Sequence, residues 1–482
     1  MIKQIRRRTT IVMAGGVACA LLLGCAFRLE PVEPMGRADA TSPQDAVTRV
    51  ADAADGTVPI AAPQASDFAL GGSHTCALNR QGRLKCWGMN EMGQLGLGDS
   101  LNRGDNDAEM GASLPDVVLG PKQRFGAVTT GDVTTCAVVI DDADKADSSG
   151  HVGHRIACWG VLVSPDSRQV GKASPLEDFA YISEDLMRAP PISPSPMRLH
   201  AGAYHFCATG LPGEQSACKG ANASGQIETP DKPLNFTLSG AQAMPWYMRR
   251  TQRLRTGLFT SCFFGDNTAQ GAGPNTWWCQ GNNEDHRLGI NAATTSAQAA
   301  GPLLLPGNVV PSDVAPGAYY GCATNAQNEL FCWGSHLVVG RSATKPVAAP
   351  TAIHFPNDER VAQLAPGWTH MCVITTARKI RCWGEGNQGG RLGTGRTDVT
   401  PVTPDQNGLV SSETDVGFTP DPEQGDRLRC GSRHCCIRQG STDRLKCWGL
   451  NRSGQLGLGD TNDRGDAPGE MGANLPYVDL DM

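Results

Sequence analysis

Short apolar runs broken by Gly, Asn and Asp recur along the chain, and no long stretch spaces its apolar residues at helical intervals. That pattern predicts strands joined by tight turns. A unit recurs within it: Gly, four residues, Cys. It reads GGSHTC, GDVTTC, GAYHFC, GLFTSC, GAYYGC, GWTHMC and GSRHCC, starting at Gly71, Gly131, Gly202, Gly257, Gly317, Gly367 and Gly431. Successive glycines stand 50 to 71 residues apart, the spacing of a repeat architecture. One more cysteine follows each unit, five times as Cys-Trp-Gly. The end copies nearly coincide: residues 84–99 are LKCWGMNEMGQLGLGD and residues 445–460 are LKCWGLNRSGQLGLGD.

The spacing inside a unit predicts a hairpin. Pairing Cys76 with Cys86 centres the turn on Gln81 and leaves the loop Arg80-Gln81-Gly82, with Gly where a left-handed bulge residue belongs. Asn328 takes that place between Cys322 and Cys332. Cross-strand neighbours lie about 4.5–5.5 Å apart, within disulfide reach. The same reasoning pairs Cys136 with Cys158, Cys207 with Cys218, Cys262 with Cys279, Cys372 with Cys382 and Cys436 with Cys447. Cys430 and Cys435 remain, either bridged to each other or with one thiol free. Metal binding is the rival reading, but CxxC pairs are absent and the gaps are long. No metal or other cofactor is expected.

Composition narrows the partners. With net charge −6, and basic residues clustered only in the first ten positions, no nucleic-acid partner is expected. Those ten residues precede the apolar run 11–23, short for a membrane span and suited to an export signal. It ends in Leu22-Leu23-Gly24-Cys25, which resembles the lipobox of bacterial lipoproteins. The resemblance implies cleavage before Cys25 and lipidation of its sulfur; Leu23 is atypical, so ordinary signal cleavage stays open. Ala26 after the cysteine implies sorting to the outer membrane. Residues 1–25 are thus read as a signal and 26–66, rich in Ala, Pro, Asp and Thr, as a flexible tether.

The fullest unit runs GxxHTCAL, turn, LKCWG, then N..GQLGLGD, and it resembles the BNR-like repeats of the regulator of chromosome condensation family. The resemblance covers roughly residues 67–482. It is strong in repeats 1 and 7, good in repeat 6 and weaker between; Lys219 and Gln280 stand where Trp is expected. It implies an all-β fold, a seven-bladed β-propeller with disulfide-stapled blades. The chain ends suggest how the ring closes. Repeat 1 enters with no LPxVxL strand before it, and repeat 7 ends on LPYVDL with no repeat after it. Residues 475–480 are therefore expected to complete the blade opened by residues 67–87, which would remove two exposed sheet edges.

Each candidate for chemistry has a structural counterpart. Trp87, Trp159, Trp333, Trp383 and Trp448 are read as packing between blades; Trp246, Trp277, Trp278 and Trp368 are better placed to stack on a sugar. His74, His205, His370 and His434 stand two residues before the first cysteine. They could ring a metal, or make one structural hydrogen bond repeated from blade to blade. The stretches from Asp99 to Glu109 and from Asp460 to Glu470 could hold calcium, or simply turn the chain. Each contains RGD, a weak adhesion signal. No phosphate loop, HExxH or GxSxG motif occurs.

These readings point to a non-enzymatic, monomeric binding or scaffold protein of the cell envelope, on a membrane through its lipid anchor. Its inserts at 140–155, 161–197, 228–252 and 265–276 would meet a protein or glycan ligand. The family also contains a β-lactamase inhibitor, which makes an inhibitor of an enzyme the alternative. Nucleotide exchange or hydrolysis ranks below both.

Overall fold

The computed structural model describes residues 65–120, 123–141, 154–161, 198–211, 215–220, 224–227, 242–243, 251–265, 274–290, 299–340, 345–396 and 402–482. The signal with Cys25, the tether up to residue 64, Trp246 and almost all of the four inserts lie outside them.

Each repeat folds into one small antiparallel sheet. The first holds β1 (Ala65–Leu70), β2 (His74–Asn79) and β3 (Leu84–Gly88), and the second β4 (Gln123–Thr130), β5 (Thr134–Asp141) and β6 (His154–Gly160). The third holds β7 (Arg198–Ala201), β8 (His205–Leu211), β9 (Gln215–Gly220) and β10 (Gln242–Ala243). The fourth holds β11 (Arg253–Thr256), β12 (Thr260–Gly265), β13 (Thr276–Gly281) and β14 (Ala299–Leu303). The fifth holds β15 (Asp313–Pro316), β16 (Tyr320–Thr324), β17 (Leu330–Gly334) and β18 (Val347–Ile353). The sixth holds β19 (Val361–Pro366), β20 (His370–Thr375) and β21 (Ile380–Gly384), and the seventh β22 (Arg427–Cys430), β23 (His434–Gln439) and β24 (Arg444–Gly449).

Local chemistry explains the hairpins. Between β2 and β3 the Gly82 amide donates to Asn79 O, the Asn79 amide donates to Arg83 O, and Gly82 takes a φ of 83°. Asn328 and Arg378 occupy the same left-handed place in repeats 5 and 6. Cys76 faces Cys86 across the ladder, and the six equivalent pairs do the same. All seven pairs are disulfide-bonded, with Cα atoms 4.0–4.2 Å apart.

The sheets stand in a ring. Each first strand packs beside the next, from β1 through β4, β7, β11, β15 and β19 to β22, and β22 packs beside β1. The apolar core is divided among the spaces between neighbouring sheets. Trp87 is buried with Phe68, Leu445 and Leu456, between repeats 7 and 1, while Trp448 is buried with Ile374 and Leu392, between repeats 6 and 7. Burying about 200 Å² of one tryptophan at about 25 cal/mol/Å² contributes about 5 kcal/mol before entropy is counted.

The C-terminal segment corrects one expectation. Tyr477 bridges to Lys446 and the Val478 amide donates to Leu445 O, so LPYVDL lies along β24 of its own sheet instead of completing the first one. The reason is visible in repeat 1, where Asp116 of LPDVVL bridges to Lys85 of β3. Each such segment folds back on the sheet before it. Val478, Leu480 and Met482 nevertheless pack with Phe68, Leu70 and Trp87. Closure is by packing and by hydrogen bonds: Gly111 donates to Asp479 O, as Gly472 donates to Asp415 O one repeat earlier.

Candidate functional site: the axial face of the ring

The recurring polar residues of the repeat meet at its joints. His74 Nε2 lies 3.0 Å from Thr135 Oγ1 of the next repeat, and His434 Nε2 lies 2.8 Å from Thr75 Oγ1. Each threonine gives its own proton to a carbonyl, Thr135 to Gln94 O and Thr75 to Gln455 O. The hydroxyl is thereby left to accept, which assigns the histidine proton to Nε2. Those two carbonyls also accept the indole protons of Trp159 and Trp87. His205 reaches Ser261 in the same way. Burial holds His74, His370 and His434 near pKa 3 and His205 near 4. The buried Nδ1 of all four has no partner among the described residues, so a second ring proton would find no acceptor. These histidines are joints of the ring.

This explains the twice-written GQLGLG loop. The first copy, through Gln94, caps Trp159; the last, through Gln455, caps Trp87 of the first repeat. Trp333 donates to Arg287 O, and Trp383 to Val338 O of the short helix α1 (His336–Val339), so less regular loops do the same task.

The seven repeat glycines line a cavity of about 680 Å³ on the ring axis. A methyl group on Gly431 would lie 2.4 Å from Gly71 O, and one on Gly71 would lie 2.7 Å from Gly131 O. At these turns neighbouring repeats approach so closely that only glycine fits. Neighbouring turns are sewn together there: Ser432 donates to Gly71 O, Gly72 to Asp132 O and Asp132 to Ala203 O. The inner strands add Arg198, Arg255, Arg427 and Arg429 against one acid, Asp67, which pairs with Arg429 at 2.8 Å. Arg255 pairs with Asp313 at 3.0 Å. His200 among them is pushed down to about 3, first by burial and then by Arg255, Arg198 and Arg429.

At the glycine end of this axis lies an arc of half-buried aromatic rings. Tyr204, Phe259, Tyr319 and Trp368 pack on Ala203, Leu258 and Ala318, from four successive repeats. Tyr204 and Phe259 have ring centroids 6.3 Å apart, and the Arg287 guanidinium stands 4.9 Å over the Tyr319 ring. Tyr204 Oη donates to Asp132 Oδ2 at 3.2 Å. Burial raises the Asp132 carboxyl, and burial together with Asp132 raises the Tyr204 hydroxyl to about 12.

Residues 65–94 match the model of the regulator of chromosome condensation (RCC1) repeat. That stretch is an RCC1 repeat. Its fold is similar to Prp20p from Saccharomyces cerevisiae, at 18% identity and TM-score 0.54 over 76% of this chain and 80% of that one. Yeast RCC1 (Prp20) in its structure with Kap60 gives 17% identity and TM-score 0.52 over 76% and 78%. Human WBSCR16 gives 17% and 0.45 over 84% and 81%. At these identities the likeness to the two yeast structures establishes an RCC1-type β-propeller fold and nothing finer. No curated protein matches the chain in sequence.

The acidic candidates are committed to holding their own loops. Asp99 pairs with Arg103 at 2.6 Å and binds Asn90 and the Leu101 amide, while Glu109 accepts from Gly104; Asp460, Arg464 and Glu470 repeat this arrangement. The carboxylates and both RGD arginines thus hold the loop. Trp277 is buried and donates to Pro311 O; Trp278 and Trp368 are half-buried, and Trp368 alone of these lines the axial cavity.

Cys430 bonds to Cys435. His370, Cys372, Cys430 and Cys435 place ligand atoms within 4.8 Å of one another, but all three cysteines are in disulfides, which leaves no thiolate for a metal. Eight disulfides point to an oxidising compartment.

Two further sets of residues carry weight in the structure. The aromatic arc left a signal, because the second residue after the glycine is aromatic in GAYHFC, GLFTSC and GAYYGC. The residue before the second cysteine is the other. Lys85 donates to Gly111 O, Lys446 to Val416 O and Gly472 O, and buried Arg381 forms a two-pronged pair with Glu359 at 2.8 Å. Arg381 holds the Glu359 carboxyl below its ordinary value.

Proposed function

We propose that this chain is a monomeric, non-enzymatic binding propeller that takes a protein ligand on the aromatic end of its axis. One observation carries the reading. The polar and aromatic residues that define the repeat are used up at the joints, whereas Tyr204, Phe259, Tyr319 and Trp368 form a contiguous, half-exposed arc beside Arg287. Aromatic and Arg side chains ringed by polar groups are the residue types that dominate protein interfaces. Prp20p, which shares the fold, binds Gsp1p and histones, in keeping with a protein ligand on such a ring.

The lipobox-like stretch and the disulfides support an exported protein tethered through Cys25 to the outer membrane or cell surface. Photo-crosslinking residues at positions 319 and 368 should capture one common protein from the envelope. A residue at Val118, 71% exposed on the outer side of repeat 1, should not. Capture from 118 with none from 319 or 368 would place the ligand elsewhere. Cys25→Ser should move the protein from the membrane to the soluble fraction; unchanged membrane retention would remove the lipid anchor.

A further inference from the structure

Repeat 7 alone carries two extra cysteines, and they occupy telling places. Cys435 stands immediately before the first cysteine of its repeat. In repeats 1, 2 and 4 that place holds Thr75, Thr135 and Ser261, the hydroxyls that receive the histidine of the preceding repeat. His370 Nε2 therefore lies 3.2 Å from Cys435 Sγ. Cys435 Sγ also lies 3.8 Å from Cys372 Sγ, itself bonded to Cys382. Two disulfides from neighbouring repeats are thus in van der Waals contact, with a neutral imidazole beside them.

Accessibility separates the eight bridges. Cys430 lines the axial cavity and is the one disulfide cysteine among the described residues that is not buried. Its bridge spans a sequence separation of 5, against 10 to 22 for the others. A bridge across the shortest loop constrains the unfolded chain least. This disulfide can therefore open with the least loss to the fold, and a thiol can reach it from the axis.

We infer that Cys430–Cys435 is a redox-active disulfide, open to an external dithiol from the axial cavity and able to pass its exchange to Cys372 in repeat 6. The incoming thiolate attacks Cys430 Sγ. The Cys430–Cys435 bond breaks as the mixed disulfide forms, and Cys435 leaves as a thiolate that accepts the His370 Nε2 proton in a hydrogen bond. The second thiolate of the reagent then attacks its own sulfur in the mixed disulfide and expels Cys430. The dithiol ends as a disulfide, and two electrons and two protons reside on Cys430 and Cys435. In the internal branch the Cys435 thiolate attacks Cys372 Sγ and expels Cys382, so a bridge within repeat 6 becomes a bridge between repeats 6 and 7. A hydrogen bond to the leaving thiolate lowers its pKa and speeds its departure.

The full chain, treated with limiting dithiothreitol, quenched in acid, alkylated and mapped as non-reduced peptides, tests both steps. Cys430 should be alkylated at least about tenfold faster than the cysteines of repeats 1 to 5, together with Cys435 or, where the internal step has run, with Cys382. Opening of this bridge at the common rate, or after the others, would overturn the proposal. In Cys430→Ser, Cys435 has no partner of its own. The expected product is a Cys372–Cys435 peptide with Cys382 alkylated, in protein whose tryptophan emission matches that of the parent. An intact Cys372–Cys382 bridge beside a free Cys435 would overturn the internal step. Because the first measurement uses the unaltered chain, it decides the accessible step even if the variant fails to fold.

Discussion

Mild acid should loosen the ring through its joint histidines, at a pH where ordinary carboxylates remain charged. In an unfolded chain a histidine titrates near 6.5, whereas His74, His370 and His434 are held near 3 and His205 near 4. Their folded pKa is depressed, so the stabilisation is fully present above about pH 6.5 and is lost as pH falls towards 3. At pH 5 an unfolded histidine is almost wholly protonated and a folded one almost wholly neutral. The difference is about 2 kcal/mol for each group, and about 8 kcal/mol for four acting independently, comparable with the whole stability of many domains. His200 is left out because it lines the axial cavity and is only partly buried. The assay is urea unfolding followed by tryptophan emission, with disulfides intact, at steps between pH 7.5 and 4.5. The expected result is a midpoint constant above about pH 7 that falls steeply below 6, with a shallower fall in His74→Gln. A midpoint unchanged between pH 7 and 5 would mean that the imidazoles titrate normally and are not sealed in the joints.

Three further outcomes follow from the same geometry. Glu359→Ala leaves the Arg381 guanidinium buried without its carboxylate and should cost about 3–5 kcal/mol in chemical denaturation, against less than about 1 kcal/mol for a surface acid such as Glu413; equal costs would contradict the buried pair. Replacing both Cys136 and Cys158 by Ala opens the longest loop and should cost about 3.4 kcal/mol, compared with about 2.8 for Cys76 and Cys86; a reversed order would point to native-state strain instead of loop entropy. Tyr319→Ala and Trp368→Ala should each weaken capture of the envelope ligand about tenfold while the urea midpoint moves little; undiminished capture would place the ligand off the arc.

Much of the fold was legible because its determinants are local. The Gly-x4-Cys unit and the second cysteine encode a hairpin with facing sulfurs, and counting units counts sheets. The joints were not legible, since their partners lie in another repeat: His434 and Thr75 are 359 residues apart, and Gln455 acts through its carbonyl, which no side-chain pattern reports. Misplacing LPYVDL has a physical cause too. A strand at a chain end invites a search for a distant host, but its twin in repeat 1 already had a neighbouring one in β3. The axial arc was written plainly at the second residue after the glycine, yet only the ring brings Tyr204, Phe259 and Tyr319 together.

The central claim is that the repeat residues serve as joints and that the joint between repeats 7 and 1 is the same as those between adjacent repeats. A double-mutant cycle on His434→Gln and Thr75→Val measures this directly, with His74→Gln and Thr135→Val as its within-chain counterpart. Each pair should show a coupling of about 0.5–1.5 kcal/mol in urea unfolding, of the same sign. A coupling at His74–Thr135 with none at His434–Thr75 would contradict the closed ring.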